Sequence, residues 1–146
     1  MRTITEVIAD VDALNTAHED DLDLDRLYQL AKEYFVLEAS GDVEHLDVWF
    51  RLYERYPDSD GYGVFWTILH GIEHVMFSPT GLLLIVNRSL QRKPTYFPLL
   101  IVSRMRNTPN ITSRISERVL LDLLHLYETD ERCDADLRIS IQGFLE

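Results

Sequence analysis

Residues 60–107 read DGYGVFWTILHGIEHVMFSPTGLLLIVNRSLQRKPTYFPLLIVSRMRN, and the order of apolar runs, prolines and arginines in this stretch decides the fold. Phe65, Ile68, Leu69 and Ile72 recur at three- and four-residue steps, the period of a helix with one buried face. Ser78 before Pro79 is a helix start, because the hydroxyl caps a free amide and proline loses no bond in the first turn. The runs Leu82–Val86 and Leu99–Val102 are short and unbroken, a pattern that fits a buried strand as well as a helix. Proline at the head of each run and arginine at its tail decide for helix. Pro98 falls where no backbone donor is lost, and Arg88, Arg92, Arg104 and Arg106 complement the negative end of a helix. Helices are therefore expected over about residues 62–76, 79–92 and 98–105, with the second apolar nearly all round and so central.

Outside this stretch the same signals continue. Ile4, Val7, Ile8, Val11 and Leu14 predict a helix over about 4–17. After the acidic connector His18–Asp25, the stripe Leu27, Leu30, Ala31, Tyr34 predicts a second over about 22–39, with Gly41 as its left-handed stop. Leu46, Trp49, Phe50 and Tyr53 mark a third over about 43–56, ended by Pro57. Asp58-Ser59-Asp60-Gly61 is a turn. Beyond Asn107-Thr108-Pro109-Asn110, helices are expected over about 112–127 and 137–145. The fold class is all-α: antiparallel helix pairs in one helical domain, residues 1–146, arranged as a HEAT-like α–α superhelix or a compact helical bundle. Pair starts near residues 22, 62 and 95 fall at intervals close to those of helical-pair repeats.

Charge narrows the function. The chain has 25 Asp and Glu against 14 Lys and Arg, a net of −11. Residues 1–56 carry 14 acidic and five basic side chains, whereas residues 80–118 carry only Glu117 against seven Arg and Lys. A nucleic acid or an anionic membrane demands a basic face, so neither is an expected partner. A basic protein is, because complementary potentials steer encounter. Cys133 is the only cysteine, so no internal disulfide can form, which suits a reducing compartment. The start of the chain lacks a basic-then-apolar leader, and no apolar run approaches a membrane span, so a cytoplasmic protein is expected.

His70-x-x-Glu73-His74 places two histidines one helical turn apart with a carboxylate between, the inverted order of a zinc-protease motif. A third ligand has no supporting local pattern, and Gly71 weakens the helix the motif needs. The expectation is a structural acid: Glu73 answered by the helix-end arginines Arg88, Arg92 and Arg104. Trp49 and Trp66 are expected in the core. No phosphate loop, nucleophile elbow or CxxC pair is present, so neither a cofactor nor catalysis is expected. Tyr56 and Tyr62 flank the acidic turn at 58–60, a composition suited to a protein-binding edge.

Tyr62-Gly63-Val64-Phe65-Trp66 with His70 and Glu73, Asn87-Arg88-Ser89-Leu90 with Arg92 and Pro94, and Arg104 with Asn107 together resemble the small α-helical immunity proteins of bacterial contact-dependent growth inhibition and polymorphic-toxin systems. The likeness covers the central third of the chain. It implies a non-enzymatic inhibitor that binds and neutralises one cognate toxin domain, commonly a basic nuclease, by blocking its active site or substrate groove. The expected contact residues are Glu19, Asp20, Asp21, Asp23, Asp42, Glu44, Asp58, Asp60 and Tyr62. The alternatives are a helical-repeat adaptor for another basic protein and, more remotely, a zinc hydrolase using His70, Glu73 and His74.

Overall fold

The computed structural model describes residues 2–38, 42–74, 78–112 and 114–146. The fold is all-α, and no strand occurs among the described residues. The chain divides into two compact units, Met1–Phe77 and Ser78–Glu146.

In the first unit, α1 (Ile4–Ala13), α2 (Leu24–Leu37), α3 (Asp47–Arg55) and α4 (Val64–His74) are separated by short 3-10 turns at Glu19–Asp21, Val43–Leu46 and Gly61–Gly63. α1 packs on α2 and α3, and α2 packs on α4. The core is aromatic. Trp49 meets Tyr34 edge-on at 5.2 Å and stacks on Phe35 at 5.9 Å, while Tyr53 meets Phe65 edge-on at 5.4 Å. The Tyr53 hydroxyl donates to the Phe65 carbonyl at 3.2 Å, so the α3–α4 contact satisfies its polar atom as well as burying its ring. Trp49 is fully buried as expected, whereas Trp66 is only half-buried. Gly71, which weakens α4 as an isolated helix, has a packing reason. A Cβ there would lie 2.5 Å from the Phe35 ring, so glycine lets α4 approach α2.

In the second unit, α5 (Pro79–Arg92), α6 (Tyr96–Arg106), the single turn α7 (Pro109–Thr112), α8 (Glu117–Glu128) and α9 (Ala135–Leu145) follow one another. α6 contacts α5, α7, α8 and α9, and it buries Phe97, Leu99, Ile101, Val102 and Met105. The expectation that α5 is central is corrected: α6 holds that place, and α5 leaves Leu84 56% exposed.

The bounds of α5 are those expected, set by the Ser78 hydroxyl on the Gly81 amide and by Pro79 in the first turn. Other ends differ. α1 stops at Ala13, where Leu14 leaves helical geometry. α8 starts at Glu117, not near 112, because Ser116 turns extended and caps the Arg118 amide. The stop expected at Gly41 and the end of the fourth helix at Val75 and Met76 lie outside the described residues.

Candidate functional site

The connector after α1 is fixed by the tyrosine that ends α3 at its C-cap. The buried Tyr56 hydroxyl accepts from the Thr16 amide at 2.9 Å and donates to the Thr16 carbonyl at 3.1 Å. This pair of hydrogen bonds holds the chain just before the 3-10 turn Glu19–Asp21, whose three carboxylates are all exposed. Asp23 is exposed too, but its carboxylate caps α2 by accepting from the Arg26 amide at 3.0 Å.

The second loop lies between α3 and α4. Asp58 and Asp60 are exposed there. The Ser59 hydroxyl accepts from the Gly61 amide at 2.9 Å, and the Asp60 carbonyl accepts from both Gly63 and Phe65. Three successive residues then have positive φ: Gly61 at 59°, Tyr62 at 51° and Gly63 at 94°. Glycine tolerates this region, and Gly61 is further required because a Cβ would strike the Phe65 ring at 2.8 Å. Tyr62 does not tolerate it. An aromatic residue in left-handed geometry carries strain of about 1–3 kcal/mol, sustained only when the surroundings over-determine it. The result is a tyrosine held 75% exposed, its hydroxyl donating to Asp20 at 3.2 Å. That bond, with the nearby charge of Asp20 and Glu19, raises the Tyr62 hydroxyl above its ordinary pKa.

The contact joins residues 42 apart and makes one edge from two loops. The edge has no cation of its own, because the unit's five are engaged elsewhere. Arg2 binds Asp10 and Glu33, Arg26 binds Asp10, and Arg51 binds Asp12 and Asp47. Arg55 faces Asp12 and Lys32 lies over the Tyr28 ring. Among the described residues no ion pair reaches Glu19, Asp20, Asp21, Asp58 or Asp60.

Asp42 and Glu44 belong to a different constellation, one the sequence analysis missed. Asp42 caps the Val43–Leu46 turn through the Glu44 amide. The buried Glu38 carboxylate accepts from the Asp42 amide at 3.0 Å and lies 2.7 Å from His45 Nδ1. A buried carboxylate needs such partners. Glu38 and His45 are seven residues apart, but Glu38 ends α2 and His45 lies in the separate Val43–Leu46 turn, so the pair belongs to no single periodic element that could have marked it.

His70 and His74 are exposed on α4, and His70 Nδ1 lies 3.5 Å from Glu73. Among the described residues no group of three His, Cys, Asp or Glu side chains is placed to hold a metal ion. Glu73 belongs to the first unit, and Arg88, Arg92 and Arg104 to the second. Cys133 is buried, and burial raises its thiol above the ordinary pKa, which disfavours the thiolate. No helix of the described residues is long and apolar enough to cross a membrane.

No family model matches the chain, and no match to it was found among curated proteins or solved structures.

Proposed function

We propose that the protein is a cytoplasmic, non-enzymatic immunity protein that docks its acidic edge on a cognate toxin domain and neutralises it. The partner in this reading is a basic nuclease of a contact-dependent growth inhibition or polymorphic-toxin system, and the chain binds neither nucleic acid nor membrane. The observation that carries the reading is the Tyr62–Asp20 hydrogen bond, which fuses two carboxylate-rich loops that have no cation of their own. A nuclease holds phosphates with lysines and arginines. Carboxylates from residues 19–21 and 58–60 would take those cations, and Tyr62 would supply the rigid aromatic anchor that such interfaces concentrate energy on. Its left-handed backbone supports the reading, since strain at an exposed residue persists where presentation matters.

The test is co-expression with the product of the neighbouring reading frame. Rescue from toxicity and a stable complex are expected. Replacing Asp20, Asp58 and Asp60 together by lysine should slow association by about tenfold or more at low salt, with the helical circular dichroism unchanged. Association unaffected by that triple reversal would remove the edge from the interface. A complex with a different basic protein, without rescue, would favour the adaptor reading.

A further inference from the structure

His70 and His74 of α4 stand one helical turn apart, so their Cβ atoms lie about 5–6 Å from each other on a single face. That face is the outer one. Phe65, Ile68, Leu69 and Ile72 bury the opposite side of the helix, and both histidines are exposed. Docking through the acidic edge gives neither ring a task. Zinc hydrolysis needs three protein ligands, where α4 supplies two histidines.

The surroundings prepare the pair for a cation. His70 Nδ1 lies 3.5 Å from the Glu73 carboxylate. An imidazole that turns one nitrogen to a carboxylate keeps its proton on that side and offers the lone pair of the other, the usual arrangement around a histidine-bound metal. His74 has no hydrogen bond or ion pair among the described residues. No lysine or arginine occurs in α4, and the first unit's 17 acidic against five basic side chains draw cations toward it.

The donors select the metal. Magnesium and calcium take oxygen ligands. Two imidazoles without a thiolate suit copper(II), nickel(II) and zinc(II), with copper bound most tightly. Among the described residues no group of three His, Cys, Asp or Glu side chains is placed to hold an ion, so water fills the positions that the two rings leave.

We propose that His70 and His74 together chelate one divalent transition-metal ion, copper(II) most tightly, with Glu73 orienting the His70 ring. The ion ties residue 70 to residue 74 across Gly71, the weakest helix former in α4, and so fixes the turn that glycine loosens. Binding here is independent of the acidic edge, which is made by other residues.

The test titrates the metal-free full chain with copper(II) alone. One ion per chain should bind in calorimetry, and electron paramagnetic resonance should show coupling to two imidazole nitrogens. Nickel(II) and zinc(II) should bind more weakly, and magnesium not at all. His70→Ala and His74→Ala should each weaken copper binding by about tenfold or more, and Glu73→Gln severalfold. His125→Ala, at an exposed histidine of α8, should leave the affinity as it was. The substituted side chains are exposed, so the variants should keep the wild-type circular dichroism. Nickel(II), which spares the Cys133 thiol from oxidation, should raise the thermal unfolding midpoint of the wild type and of neither histidine variant. Copper affinity unchanged in both histidine variants would overturn the proposal. Two ions per chain, one lost with each variant, would overturn the chelate in favour of separate histidines. A midpoint indifferent to nickel would overturn the tie across Gly71.

Discussion

The two units solve the same packing problem with different materials. Residues 1–77 hold 17 acidic and five basic side chains and bury a cluster of aromatic rings. Residues 78–146 hold eight acidic and nine basic side chains and bury mainly Leu, Ile, Val and Met around α6. In the first unit every cation is spent on carboxylates or an aromatic ring inside the unit, and Glu19, Asp20, Asp21, Asp58 and Asp60 are left without an ion pair among the described residues. In the second the charges nearly balance, and Leu84 of α5 with Val119 and Leu126 of α8 remain exposed. The surface each unit leaves uncovered is therefore of a different kind.

The largest expected effect tests the aromatic core against the aliphatic surface. Trp49 is fully buried among Tyr34 and Phe35, so Trp49→Ala should cost about 3–5 kcal/mol in denaturant unfolding. Leu126→Ala in the second unit removes an exposed side chain and should stay within about 0.5 kcal/mol. Similar losses from the two would break the distinction between a large side chain in the core and one displayed to solvent.

Two glycines sharpen the same contrast. Gly71 of α4 faces the Phe35 ring, which is stacked on Trp49 and cannot simply swing aside. Gly71→Ala gains roughly 1 kcal/mol of helix propensity but overpacks, at a cost of about 1–3 kcal/mol, so net destabilisation is expected. Gly143 of α9 has nothing within 4 Å of an added Cβ. Gly143→Ala should therefore stabilise by about 0.5–1 kcal/mol. Unfolding midpoints moving in the same direction for both would contradict the close approach of α4 to α2.

Helix identity was legible because caps and periodicity are local. Ser78 with Pro79 set α5 to the residue, and Pro98 fell in the first turn of α6. What escaped was non-local. Apolar composition marked α5 as central, yet α6 took that place, since a run of leucines records how much surface can be buried and not which neighbours arrive to bury it. The acidic edge was half legible. Tyr62 and the 58–60 turn stood out by composition, but the bond from Tyr62 back to Asp20 spans 42 residues and leaves no local trace. Asp42 and Glu44 shared the composition of the edge but belong to the Glu38–His45 constellation, because a buried carboxylate recruited the turn that carries them.

Tyr62 separates presentation from stability. Tyr62→Gly removes the left-handed strain, and Gly61 and Gly63 already permit the same geometry on either side. The lost hydrogen bond to Asp20 is solvent-exposed and offsets only part of the gain. The variant should be unchanged or stabilised by about 1 kcal/mol or less in urea, while binding of a basic partner at the edge weakens. Loss of stability would mean that the Tyr62–Asp20 bond braces the loops and is not there to display a ring.

The smallest expected effect is a difference in acid response. Arg2 bonds Asp10 and Glu33 and so holds both carboxyls below their ordinary values, linking α1 to α2 across 31 residues of chain. Arg132 lowers Asp130 in the same way, but the two are neighbours in one turn of the second unit. A carboxyl depressed in the folded state adds stability that is present above its unfolded value, near pH 4, and disappears as pH falls through the lowered folded value. Acidification below about pH 4 should thus loosen the α1–α2 contact, whereas protonating Asp130 leaves Arg132 its bond to the Gln91 carbonyl, 2.9 Å away, and should disturb only the turn. Arg2→Ala should move the Asp10 and Glu33 carboxyl resonances upward toward their ordinary values, stopping short of them because Arg26 still acts on both, and should flatten the acid limb of stability for the first unit. Asp130→Asn removes the second pair while keeping the Arg132 bond to the Gln91 carbonyl, and it should leave that limb as it was, because a pair within one turn constrains almost no chain that the turn does not already constrain. If Asp130→Asn flattened the acid limb as much as Arg2→Ala, sequence separation would not be what makes one pair matter more than the other.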